Sequence, residues 1–148
     1  MRRILAVATA SMTLLVACAG IDVQTGVYQT LDEARAAGAI ERGWVPRGLP
    51  PSASDLREGH LDDGRRWGVF SFDASHGDVL KTLLADEITT GAVECRAPGR
   101  LEWWPRLLRS PIDLQSARSA GLRLYRSRDG QLTYAVNWAQ GRAFYWRG

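Results

Sequence analysis

Lysine is nearly absent from this 148-residue chain: of 19 basic residues, Lys81 is the sole lysine and the other 18 are arginines. The arginines are scattered rather than clustered. That favours codon usage in a GC-rich genome over a dedicated bidentate site for phosphate or carboxylate. Histidine and cysteine are equally scarce, at two each. No Cys-x-x-Cys pair and no His-rich spacing occurs, so the sequence offers no zinc motif. Gly-x-Ser-x-Gly, P-loop and Gly-x-Gly-x-x-Gly patterns are also missing, which removes the common nucleophile-elbow and nucleotide signatures. There is no internal repeat and no low-complexity tract. The longest apolar run, Ile4 to Ala17, is interrupted by Thr9, Ser11 and Thr13. A spanning helix needs about 20 mostly apolar residues, so this run does not cross a membrane.

What stands at the N-terminus is a secretory pattern. Met1-Arg2-Arg3 is basic, the apolar run follows, and Leu15-Val16-Ala17-Cys18 ends it with small residues. The alternative, a buried first element of a cytosolic domain, is opposed by the chain after Cys18, where Ala19-Gly20-Ile21-Asp22 continues no helix. A cysteine directly after the cut resembles the lipobox of bacterial lipoproteins. That resemblance implies lipidation at Cys18 with a palmitate-type chain. With Ala19 rather than aspartate next, it also implies the outer membrane, facing the periplasm. An ordinary signal-peptidase site would also accept Ala-Cys-Ala and leave Cys18 a plain thiol. The expected organisation is a signal peptide over 1–17, a lipidated tether over 18–29 and one domain over 30–148.

Removing the signal changes two counts. Arg2 and Arg3 leave with it, so the mature chain balances 17 basic against 16 acidic residues. A near-neutral chain gives no electrostatic case for nucleic acid. A lipidated Cys18 leaves Cys95 without an intrachain partner, and a buried structural thiol is the expected state.

The elements read as α+β in a single small domain. Thr30-Leu31-Asp32-Glu33 forms a capping box opening a helix to Ala37, stopped by Gly38. Glu41 to Pro51 holds three prolines and reads as an ordered turn, with Trp44, Val45 and Leu49 tucked inward. Ser52 to Leu56 fits either a capped helical turn or a strand from Ser54. Trp67 to Asp73 reads as a strand, pairing with residues 54–60 across Asp63-Gly64 if those are extended. Val79, Leu80, Leu83, Leu84 and Ile88 make one apolar stripe and predict a helix over 75–88, capped by Asp73 or Ser75. A short strand is expected around Cys95, and a second short helix over 113–120. Leu122–Arg128, Gln131–Ala139 and Arg142–Arg147 form an antiparallel three-stranded meander through Asp129-Gly130 and Gln140-Gly141. Helix 75–88 is its expected cover.

Two groups could carry chemistry. Glu58, His60 and Asp62 alternate, so on a strand they share one face and suit a divalent metal or acid–base work. Against that, this stretch surrounds a hairpin turn where aspartate is favoured for its own hydrogen bonds. Trp103-Trp104 could stack on a ring-bearing ligand or anchor a partner; core packing is the plainer role. No catalytic residue, no metal ligand and no cofactor is assigned from sequence. Trp103, Trp104 and His60 are the candidate ligand or partner contacts.

The stretch from Tyr28-Gln29-Thr30-Leu31-Asp32-Glu33-Ala34 through Gly43-Trp44-Val45-Pro46 to Leu49-Pro50-Pro51-Ser52-Ala53-Ser54-Asp55-Leu56 is similar to a family of small bacterial lipoproteins that carry a YbbD head domain. The resemblance covers about residues 28–72. Where that family has an Asp-Thr-Asn-like turn, this chain has Asp62-Asp63-Gly64-Arg65. The resemblance implies location and fold and supplies no catalytic residues. The expected function is therefore a membrane-anchored periplasmic lipoprotein with a binding or interaction role, including an envelope protein partner. The alternative is a small hydrolase or metal-binding protein using Glu58, His60 and Asp62.

Overall fold

Seven strands form one sheet in the order β1-β2-β3-β7-β6-β5-β4, with every neighbouring pair antiparallel. They are β1 Gln24–Thr30, β2 Ser54–His60, β3 Arg66–Ser71, β4 Leu84–Glu87, β5 Arg123–Ser127, β6 Thr133–Asn137 and β7 Arg142–Arg147. The computed structural model describes residues 22–148. The expected signal segment and Cys18 lie outside the described residues. β1 occupies residues 24–30, so the domain begins inside the segment expected to be tether. The reason is pairing: β1 runs along β2 from Gln24↔His60 to Thr30↔Ser54.

Helix α1, Leu31–Ala36, starts at its expected cap. Thr30 Oγ1 accepts from the Glu33 N–H at 3.2 Å, while the Glu33 carboxylate accepts from the Gln29 N–H at 2.7 Å, one residue before the cap. The proline-rich loop then folds over the sheet. The N–H groups of Trp44 and Val45 both donate to Ala39 O, and Ala39, Val45, Leu49 and Ala53 are buried. The open choice at Ser52–Leu56 resolves as strand β2, which breaks register with β3 between Ser54 and Arg57, where Asp55 adopts φ 47°.

The long helix over 75–88 is not formed. A single 3-10 turn, Ala74–His76, capped by Asp73, leads into α2, Gly77–Lys81, which ends at Thr82; Leu84–Glu87 is the edge strand β4. Thr82 Oγ1 donates to Val79 O at 2.6 Å and so competes for a helical carbonyl. Beyond it the backbone joins β5: the Arg128 N–H donates to Leu83 O and Arg128 Nε to Leu84 O. The apolar stripe is thereby split. Leu80 and Leu84 pack on one face of the sheet, Ile88 on the other, and Val79 is exposed. Cover of the first face comes largely from α1 and the 37–53 loop.

Both sheet faces are buried. Leu132, Tyr134, Val136, Ala143 and Tyr145 lie with Phe70 and Leu80 on the first face; Trp67, Leu124, Ala135 and Trp146 lie on the second. The second face is covered by residues 88–122, including α3, Leu114–Ser119. Asp113 caps α3 by accepting from the Gln115 and Ser116 N–H groups at 2.9 and 3.2 Å. Cys95 lies in no strand. Its backbone is held by Ser110 Oγ at 2.7 Å and by the Ser110 N–H at 2.9 Å, so side chain and loop replace a ladder. The meander forms as expected, although its turns span four residues, between Ser127 and Leu132 and between Asn137 and Arg142.

Candidate functional site

One row of residues crosses six strands. From β1 to β5 the Cα partners are Gly26, Glu58, Gly68, Tyr145, Tyr134 and Tyr125. The two glycines leave the backbone bare, and the large polar side chains beside them lie across it. A Cβ on Gly26 would stand 2.5 Å from Glu58 Oε1, and one on Gly68 would overlap the Tyr145 ring. Tyr145 thus reaches over β3 and donates its hydroxyl to Trp44 O at 2.7 Å.

Glu58 sits at 1% exposure on this face. Its Oε2 meets His60 Nδ1 at 2.8 Å and its Oε1 faces the Tyr28 hydroxyl at 3.5 Å. His60 Nε2 is 3.2 Å from Gln24 Oε1, so both ring nitrogens are engaged. Trp44 stacks on the imidazole with centroids 3.9 Å apart and planes 12° from parallel, and the Arg42 guanidinium lies 4.9 Å from the Trp44 ring centroid. Burial raises the Glu58 carboxyl above the usual glutamate range, opposed by its hydrogen bonds and charge contact with His60. Burial, and then the Glu58 charge, raise the Tyr28 phenol. The Tyr145 phenol is pushed well up by complete burial.

Beside this network lies a cavity of about 260 Å³, lined by Gln24, Arg42, Trp44, His60, Asp62 and Arg65 among others. Glu58 and His60 converge as the alternation predicts, but Asp62 does not join them: it is exposed in the hairpin turn. Among the described residues no three of His, Cys, Asp and Glu come together as a metal-binding group. The expected three-residue set is therefore a two-residue pair, because β2 ends at His60 and the chain turns before Asp62. Gln24, Tyr28, Trp44 and Tyr145 complete the network; the sequence tucks Trp44 inward but gives none of the four a role at a site. The alternation Gln24-x-Gly26-x-Tyr28 is a further local signal, inside the expected tether.

Trp104 is not a surface aromatic. It is 2% exposed, donates its indole N–H to Leu108 O at 3.0 Å, and packs edge-on against Phe144 and Trp146 at 5.7 and 5.8 Å. Trp103 is half-buried against Trp104 at 6.0 Å. The pair fills the core beneath residues 88–122, where such edge contacts add about 0.5–1.5 kcal/mol each. Cys95 is buried and free, with its thiol pushed up to about 11 chiefly by burial. It should resist a thiol reagent such as 5,5′-dithiobis(2-nitrobenzoate) at pH 8 in the native state and react fully in urea. Rapid native labelling would place it at the surface.

Residues 22–71 match the family model of the YbbD head domain, from just before β1 to the last residue of β3. No curated protein and no solved structure matches the chain. The matched segment carries Gln24, Tyr28, Trp44, Glu58 and His60, while Tyr145 reaches into it from β7. Over residues 22–71, then, this chain resembles the YbbD head-domain family, and the buried polar network under Trp44 lies in that head.

Proposed function

We propose that this protein is an outer-membrane lipoprotein, lipidated at Cys18 and facing the periplasm, whose folded domain binds a ligand or an envelope partner rather than turning over a substrate. The observation that carries the reading is Leu15-Val16-Ala17-Cys18 behind a basic, apolar leader. Among the described residues the first strand, β1, starts at Gln24, downstream of the proposed cut. Two or more acyl chains would anchor the chain stably, at about 0.8 kcal/mol per buried methylene.

The binding half of the reading is supported by the state of the polar network. Glu58 and Gln24 engage both nitrogens of His60, which ties the imidazole into the network. The network is arranged to hold the Trp44 loop on the sheet, beside a cavity. Labelled palmitate should enter the wild-type chain in cells and be absent from Cys18→Ser. Label persisting in that variant would refute anchoring at Cys18.

A further inference from the structure

Arg66 opens β3 in the row next to the buried network, with Cα partners running Gln24, His60, Arg66 and Arg147. Its half-buried side chain lines the cavity beside Trp44. It also lines a second cavity, of about 320 Å³, between the Gly43–Arg47 loop and the turn joining β5 to β6. A Cβ on Gly43 would stand 3.5 Å from one of its terminal nitrogens. Among the described residues no carboxylate comes within 4.0 Å of the guanidinium, and its buried Nε makes no hydrogen bond. Arg147 alongside adds a like charge. Arginine does not lose its proton in proteins, so this positive fork stays charged; the nearest attractive carboxylate is Asp129, which acts on it from beyond ion-pair distance.

The second cavity carries more of the same chemistry. Arg47 and Arg128 line it, and so does Tyr134, a residue 1% exposed. Val45, Leu83 and Leu132 give it an apolar wall. Asp129 also borders it: its Oδ1 is held in the turn by Ser127 Oγ at 2.6 Å and the Gln131 N–H at 3.0 Å, and its charge partly offsets that of Arg66. We propose that this cavity binds an oxyanion, a phosphate or carboxylate group on a small apolar carrier, with the Arg66 fork as its principal contact. Planar bidentate donors suit both groups, and a buried donor without a partner is costly until one arrives. The inference rests on the binding half of the proposed function and is independent of lipidation. Gln24, at the head of the Arg66 row, is six residues beyond Cys18. That span reaches roughly 20 Å at most, so an anchored chain holds this end of the sheet near headgroups. A lipid phosphate and a soluble anion therefore share the site's chemistry.

Isothermal titration of the purified full chain in neutral detergent tests it, with hexyl phosphate, hexanoate and hexanol as probes. One or both anions should bind saturably and hexanol should not. Arg66→Gln should weaken binding at least tenfold, Arg66→Lys less, and Arg47→Gln a few-fold, with Arg96→Gln unchanged. Arg47 is exposed, so its variant serves even if Arg66→Gln unfolds; Tyr134→Phe, which removes one hydroxyl, should also lose a few-fold. Absence of saturable binding by both anions, or wild-type affinity in both folded Arg66→Gln and Arg47→Gln, overturns the site. In nanodiscs, competition between phosphatidylglycerol and hexyl phosphate supports the site and assigns the headgroup. Undiminished hexyl phosphate binding supports a soluble ligand. Palmitate labelling reads out separately, so loss of one result leaves the other standing.

Discussion

Replacing Gly68 with alanine should destabilise the fold by about 3 kcal/mol, read as a fall in urea midpoint with an unchanged slope. Gly68 has no positive φ, so the cost is not conformational. It is steric: the added methyl would occupy the space of the Tyr145 ring, which lies over β3 with its hydroxyl on Trp44 O. The ring cannot retreat easily, because Phe70 and Tyr134 pack against it at 6.3 and 6.1 Å. Nor can β3, which pairs on both sides with β2 and β7. Tyr145→Phe separates the two contributions: it keeps the ring, frees Trp44 O, and should cost about 1 kcal/mol. In the double variant Gly68→Ala with Tyr145→Ala, the losses should fall well short of additive, because the clash disappears with the ring. A Gly68→Ala protein within 0.5 kcal/mol of wild type, roughly the scatter of neutral surface changes, would mean the ring does not cross the strand there.

Truncating His60 to alanine should cost about 3 kcal/mol at pH 8 and clearly less at pH 4. The imidazole is the closest polar partner of the buried Glu58 carboxylate and the surface on which Trp44 stacks. The pH dependence follows from the direction of the Glu58 shift. A carboxyl raised on folding contributes stability that is fully present below its unfolded value and is lost as pH climbs through the folded one. His60 is what restrains that rise in the wild type, through its hydrogen bond and its charge. Without it the folded value moves further up and more stability is lost by pH 8. Adding Glu58→Gln to His60→Ala should remove this extra pH dependence. A His60→Ala deficit that stays constant from pH 4 to pH 8 would show that Glu58 is solvated in the folded state.

Much of the sheet was legible in the sequence because its signals are local. Tyr134, Val136 and Trp138 alternate on β6 and in the loop just after it, and Asp63-Gly64 marks the β2–β3 hairpin. The cap at Thr30 is equally local, a side-chain oxygen three residues from its donor. Helix 75–88 does not form because the stripe from Val79 to Ile88 suits a split between two faces as well as it suits a helix. The choice was made by β5, more than 30 residues away, which captured Leu84–Glu87 at the sheet edge. The sequence leaves Trp103-Trp104 between a surface pair and core packing, the plainer role, and the chain passing over the second face puts Trp104 in the core. Half of the Glu58–His60 pair's surroundings come from β1, which the lipobox resemblance places in a tether.

By itself the sequence determined the antiparallel meander, the Thr30 cap, and the balance of 17 basic against 16 acidic residues from Cys18 onward. All of these depend on neighbours or on counting. The tertiary structure decided which scattered residues meet. Glu58 is buried because Gly26 and Gly68, far apart in the chain, flank it in one row of the sheet. Arg47, Arg66 and Arg128 read as unrelated arginines in the chain, yet line one cavity. Periodicity and turn chemistry act over a few residues, whereas sheet order is set by which faces can be buried together. That long-range pairing is what turns a compositional excess of arginine into a local positive site.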